Sequence, residues 1–70
     1  MFSTRKKPLD EATEKKWWEA LKKNDVKGVK DILAHYIVNV NTTKNGETPL
    51  YIAAKKNSQE VAKLLTNAGA

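Results

Sequence analysis

The segment GETPLYIAAKKNSQEVAKLLTNAGA, residues 46–70, decides the fold because it contains the start and end signals of two short helices. Thr48 before Pro49 opens a helix, since Thr accepts a backbone hydrogen bond and Pro takes a first position whose N–H has no partner. Asn57 tolerates the left-handed conformation that ends a helix, and Ser58 caps the next one. The segment therefore predicts two helices and a chain reversal of about two residues between them.

Apolar residues recur at helical spacing in both halves of this segment, so each predicted helix has one apolar face. The small Ala residues allow the two helices to approach closely. On this pattern we expect the following residues, Leu50 included, to face the core: Leu50, Ala53, Ala54, Val61, Leu64 and Leu65.

A fainter copy of this unit lies 33 residues upstream. Asn24 and Asp25 repeat the turn chemistry of Asn57 and Ser58. Other pairs at the same offset are Trp17 and Leu50, Ala20 and Ala53, Val29 and Ala62, and Ile32 and Leu65. The copy predicts a second helix pair, with Trp17 in the core and Trp18, which aligns with Tyr51, half exposed at its edge.

Two connecting segments complete the predicted layout. Residues 40–46 begin with β-branched side chains and end in turn residues, which predicts a hairpin-like finger between the helix pairs. Asp10 or Thr13 can cap the first helix, with Leu9 packing back onto it. Residues 1–8 are predicted to be a disordered basic tail.

A period of 33 residues with a Thr-Pro-Leu helix start resembles the ankyrin-repeat family. The resemblance covers residues 14–70 and is strongest over 46–70. It implies an all-α fold, an ankyrin-repeat solenoid fragment over residues 9–70, with repeat 1 at about 13–45 and repeat 2 at about 46–70. Lys15 and Lys16 depart from the family's Thr and Pro, and Tyr51 stands where His is usual.

Two repeats are fewer than the three or more that such arrays usually need. Ala62 and Thr66 stand where internal repeats have larger apolar residues, and Asp31 stands where Leu is common. These residues favour a self-contained domain with a cap at each end. A fragment of a longer repeat array is the alternative.

The composition argues against disulfide, metal-binding and catalytic chemistry. The chain of 70 residues has no Cys and one His, which excludes disulfides and predicts no metal site and no cofactor. Ser58 and Thr48 are explained as helix caps, and no nucleophile and base can be paired. We therefore expect no enzyme activity. Without a secretory signal or a long apolar run, we expect a cytoplasmic or nuclear location.

The net charge of +5 is concentrated at the start of the chain, where Arg5, Lys6 and Lys7 contribute +3. Residues 8–70 are only mildly basic. The resemblance implies that the concave helix face and the finger bind a partner protein, which we expect to be acidic, with the chain a monomer. Carried over by position, with the half-exposed Trp18 added, the predicted contact residues are Lys22, Lys23, Lys44, Asn45, Glu47, Lys55, Lys56 and Trp18.

Three alternatives remain open from the sequence. The paired lysines also fit a purely solubilising role on exposed helix ends. Nucleic-acid binding through the tail and the lysines is a second function, although a single Arg disfavours bidentate base reading. The third is a structural or minimal repeat unit without a partner of its own.

Overall fold

Four helices and two short strands occur in residues 6–70, the part of the chain that the computed structural model describes. Helix α1 packs against α2 and α3 against α4, while α1 also contacts α3 and α2 contacts α4. Two helix pairs therefore stack side by side, which confirms the mostly helical class. The elements are β1 (Lys7–Pro8), α1 (Glu11–Lys23), α2 (Val26–His35), β2 (Tyr36–Ile37), α3 (Pro49–Lys55) and α4 (Gln59–Asn67).

A side-chain cap begins each helix. Asp25 accepts from the N–H of Gly28 at 3.1 Å, Thr48 from Tyr51 at 3.1 Å and Ser58 from Val61 at 3.3 Å. These three predicted caps are confirmed. At α1 the cap is Asp10, whose carboxylate accepts from the N–H of residue 13 at 2.7 Å.

The reversals inside the two pairs share one geometry. Asn24 and Asn57 have φ angles of 58° and 56°, as expected for left-handed helix ends. The next residue in each case donates its N–H to a carbonyl five residues back, Asp25 to Ala20 at 2.8 Å and Ser58 to Ala53 at 2.9 Å. This bond closes the helix end and turns the chain into the following helix.

The finger between the pairs is a tight hairpin at residues 44–47. Lys44 and Glu47 exchange backbone hydrogen bonds of 2.9 and 3.1 Å, and Asn45 and Gly46 have φ angles of 55° and 78°. Two positive φ angles are the requirement of a type I′ turn, which matches strand twist. The first part of the predicted finger forms a separate turn instead, anchored by the buried Val40.

The strands correct the prediction for the start of the chain. Lys7 and Pro8, expected in a disordered tail, pair in parallel with Tyr36 and Ile37. Pro has no N–H to donate, so it is confined to an edge position of this kind. A strand of two residues is too short to show the alternation of apolar and polar residues that predicts a strand. Residues 1–5, the rest of the predicted tail, lie outside the described residues.

The core joins both helix pairs, and α1 contributes its two largest side chains, Trp17 and Trp18. Trp17 and Leu21 are 2% and 1% exposed, which confirms the predicted burial of Trp17. The expected burial of Leu50 and of Ala54 is wrong, because Leu50 is 36% exposed and Ala54 is exposed as well. The remaining buried apolar residues are Trp18, Ala20, Val29, Ile32, Val40, Ile52, Ala53, Val61 and Leu65.

Leu21 and Leu50 provide a matched test of this core. We expect Leu21→Ala to lower the free energy of unfolding by about 2–5 kcal/mol, since it removes a buried side chain and leaves a cavity. Leu50→Ala removes the same atoms from a partly exposed site and should cost clearly less. Urea denaturation monitored by circular dichroism measures both values; equal losses would contradict the described packing.

Asp10 provides a pH test of the α1 cap. Hydrogen bonds from the Thr13 side chain and backbone N–H lower the pKa of Asp10 below its ordinary value of 3.8. The stabilisation is therefore complete above pH 3.8 and is lost as the pH falls through the lower folded-state pKa. Asn also caps helices but does not titrate. The difference in unfolding free energy between wild type and Asp10→Asn should change below pH 3.8, whereas a constant difference would refute the assignment.

Candidate functional site

The predicted contact residue Trp18 requires a correction. It was expected to be half exposed, but its side chain is only 3% exposed. The reason is tertiary: the finger segment comes back beside α1, and Trp18 lines two surface grooves together with finger residues 42–44. Trp18 therefore supports the surface from below and offers a partner little contact area.

The larger of these grooves lies between the first turns of α1 and the finger. Its volume is about 640 Å³ and it is open to solvent. Glu11 and Glu14 contribute negative charge, while Lys15 and Lys44 contribute positive charge. The lining residues are Glu11, Ala12, Glu14, Lys15, Trp18, Thr43 and Lys44.

Sequence reasoning missed Glu11, Glu14 and Lys15 as surface residues of this groove. Acidic residues in a first helical turn are explained locally, because they interact favourably with the helix dipole. Their position opposite the finger arises only when the chain returns after α2. Nothing in the local sequence marks that proximity.

An ion pair connects the finger to α3. The Lys55 ammonium Nζ lies 2.9 Å from the Glu47 carboxylate Oε2 and 5.5 Å from the centre of the Tyr51 ring. The hydrogen bond to Glu47, reinforced by charge attraction, raises the pKa of Lys55 above 10.5. Both side chains are partly exposed, so the pair adds little stability. It does reduce the positive charge that Lys55 was expected to present.

The other predicted contact residues are exposed at two places. Asn45 stands at the tip of the finger hairpin, with Lys44 beside it. Lys22 and Lys23 occupy the last turn of α1, and Lys56 follows the last residue of α3. Glu14 lines the groove together with Lys44, and along α1 it lies about 12 Å from Lys22. The predicted contact residues therefore form two separate groups. The finger group is Lys44 and Asn45, and the helix-end group is Lys22, Lys23 and Lys56.

The Glu47–Lys55 pair yields a pH prediction. The stabilisation that follows from the raised pKa of Lys55 is complete below its ordinary value of 10.5 and is lost as the pH rises through the folded-state pKa. Glu47→Gln should return the Lys55 pKa towards 10.5. Nuclear magnetic resonance titration of the Lys55 side chain measures this shift. Glu60→Gln, which removes an exposed carboxylate on α4, is the control, and an unchanged Lys55 pKa in Glu47→Gln would exclude the pair in solution.

Two structural absences concern residues 6–70. No helix there is long and apolar enough to cross a membrane. The same residues hold no group of three or more His, Cys, Asp or Glu side chains arranged to bind a metal ion.

Comparison with known proteins agrees with the geometry of stacked helix pairs. The family model described as "Ankyrin repeats (3 copies)" matches residues 17–70, which is more than half of the chain. No curated protein and no solved structure matches the chain. Ankyrin repeats are generally protein-interaction modules and typically have no catalytic role. On the family match, the two stacked helix pairs and the finger between them, the chain belongs to the ankyrin-repeat family.

Proposed function

We propose that this chain is a non-enzymatic protein-interaction module that binds a partner protein through its finger and the concave face of α1 and α3. The observation that carries this proposal is the open groove between α1 and the finger, with charged side chains on both sides. A groove that is open to solvent and carries both charges fits a protein surface better than a small-molecule site, which usually encloses most of its ligand.

The finger group supplies the first set of contacts. Lys44 and Asn45 project from a hairpin whose backbone is fixed by two hydrogen bonds and two left-handed residues. The Glu47–Lys55 ion pair holds this hairpin against α3. A preorganised finger loses less conformational entropy on binding than a flexible loop would.

The helix-end group supplies the second set. Lys22, Lys23 and Lys56 are exposed and positively charged, so an acidic partner surface is the complementary one. Charges of this kind set the rate of encounter and the choice of partner more than the final affinity. Nucleic acid fits less well, because Glu11 and Glu14 in the groove would repel phosphates.

The helix-end group can be tested against a matched set of lysines. The triple change Lys22→Glu, Lys23→Glu and Lys56→Glu should weaken partner binding about tenfold or more, about 1.4 kcal/mol or more, because it reverses the local charge. The control triple makes the same charge change at exposed positions of α2 and α4: Lys27→Glu, Lys30→Glu and Lys63→Glu.

Affinity capture from lysate of the source cells, with and without nuclease treatment, compares these chains with the wild type by quantitative mass spectrometry. Proteins retained by the wild type and the control triple but lost from the helix-end triple would support the proposed face. Equal retention by both triples, with the folds intact by circular dichroism, would rule the helix-end group out. Loss of capture after nuclease treatment alone would point to nucleic acid.

A further inference from the structure

Asn is one of the chemically labile residues of proteins, and the fold places the Asn residues of this chain in different surroundings. The side-chain amide of Asn reacts when the backbone nitrogen of the next residue reaches its Cγ atom. A hydrogen bond that holds the next N–H slows this reaction, and so does a bulky side chain on the next residue. These two conditions separate the six Asn residues, all of which are described: Asn24, Asn39, Asn41, Asn45, Asn57 and Asn67.

Four of these residues are protected because the next N–H donates to a backbone carbonyl. After Asn24 and Asn57 the bonds are those that close the two helix ends, and they are 2.8 and 2.9 Å long. After Asn41 and Asn67 the bonds are 3.2 and 3.1 Å long. A nitrogen held by a carbonyl must first lose that bond before it turns towards the preceding side chain, so the reaction is slowed at all four.

Asn39 is protected in a different way. Its side-chain oxygen Oδ1 accepts from the N–H of Asn41 at 3.0 Å, which holds the amide away from the next residue. That next residue, Val40, is β-branched and only 4% exposed, so its side chain crowds the nitrogen and is fixed by the core. Both features oppose the reaction at Asn39.

Asn45, at the finger tip, meets neither obstacle. Gly46 follows it, and no atom beyond the neighbouring residues lies within 4 Å of the position that a Cβ atom would take there. The hairpin bonds use the N–H groups of Lys44 and Glu47, and no hydrogen bond among the described residues uses the N–H of Gly46. Asn45 and Gly46 are both exposed, so water and hydroxide reach the reacting atoms.

The hairpin must open for the reaction to occur. The Gly46 nitrogen approaches Cγ only when the Cα–C bond of Asn45 rotates, and this rotation strains the hairpin. The closed form is held by two hydrogen bonds of 2.9 and 3.1 Å between Lys44 and Glu47. Short exposed segments of this kind open locally while the rest of the protein stays folded. Asn45 therefore reacts from the native state without global unfolding.

We propose that Asn45 is the main site of spontaneous deamidation in the folded chain, selected by the N–H of Gly46, which has no acceptor among the described residues. The Gly46 nitrogen forms a bond to Asn45 Cγ, the Cγ–Nδ2 bond breaks, and ammonia leaves with the proton of that N–H. Water then opens the cyclic imide. Cleavage between the nitrogen and Cγ gives Asp, and cleavage at the backbone carbonyl gives isoaspartate. No partner protein, cofactor or oxidant takes part, so the reaction proceeds whether or not the proposed function holds.

The two products change the finger differently. Asp followed by Gly is compatible with a type I′ turn, so this product keeps the hairpin and adds one negative charge beside Lys44. Isoaspartate carries the same charge but adds a methylene group to the backbone, which disrupts the hydrogen bonds between Lys44 and Glu47. Lys44 lines the groove next to α1, so either product alters the charge at the edge of that groove.

Peptide mapping by mass spectrometry tests this assignment on the full chain, kept folded at mildly alkaline pH. Conversion at Asn45 should be at least about tenfold faster than at any other Asn, a difference of about 1.4 kcal/mol in barrier height. Labelling by a protein isoaspartate methyltransferase distinguishes isoaspartate from Asp, and Asn45→Gln should abolish most of this label. An Asn45 rate no higher than the rates of the other Asn residues would overturn the assignment.

Ser58→Gly provides a matched control within the same chain. It places Gly after Asn57, whose φ angle of 56° is close to the 55° of Asn45, and the backbone bond from position 58 to Ala53 does not need the replaced side chain. Gly is also accepted at helix starts, so circular dichroism should show an intact fold. In the folded variant Asn57 should stay at least about tenfold slower than Asn45, and in urea the two rates should converge. Equal rates in the folded variant would refute selection by the N–H of Gly46.

Discussion

Each helix pair of this chain has an apolar side that a single pair would leave in water, and the covering of repeat 1 by repeat 2 removes that exposure. A chain of 70 residues buries only about 60% of its unfolded surface, so this one interface dominates the core. Trp17, Trp18 and Leu21 of α1 belong to the same buried cluster as Ile52 and Ala53 of α3. Because this cluster draws its side chains from both helix pairs, the two repeats depend on each other.

The same interface sets the position of the groove proposed for partner binding. Because α3 lies against α1, the finger that precedes α3 comes back beside the first turns of α1 and covers Trp18. The Glu47–Lys55 pair then fixes the hairpin to α3 at an energetic gain that is small for exposed charges. The hairpin keeps its shape mainly through its own two backbone hydrogen bonds and two left-handed residues. The groove forms because the stacking of the repeats brings the closed hairpin next to the first turns of α1.

Charged side chains occupy two distinct parts of the surface, the helix ends and the groove beside the finger. Lysines at the ends of α1 and α3 interact favourably with the helix dipoles and remain in water, so they are compatible with both solubility and partner contact. The groove between α1 and the finger differs, because it combines the carboxylates of Glu11 and Glu14 with the ammonium groups of Lys15 and Lys44.

The sequence by itself determined the starts of α2, α3 and α4, the reversal inside each helix pair and the 33-residue period. The caps at Asp25, Thr48 and Ser58 and the left-handed ends at Asn24 and Asn57 act within a few residues, so local chemistry is enough to specify them. Only the tertiary structure decided that Trp18 is buried, that Leu50 is partly exposed, that Lys7–Pro8 pairs with β2 and that Lys55 binds Glu47. The ion pair joins two long side chains at the two ends of the short helix α3. The other features depend on segments distant in sequence, because the burial of a residue is set by what packs against it. A repeat pattern assigns the same environment to Trp17 and Leu50, and only the presence of a neighbouring repeat separates them.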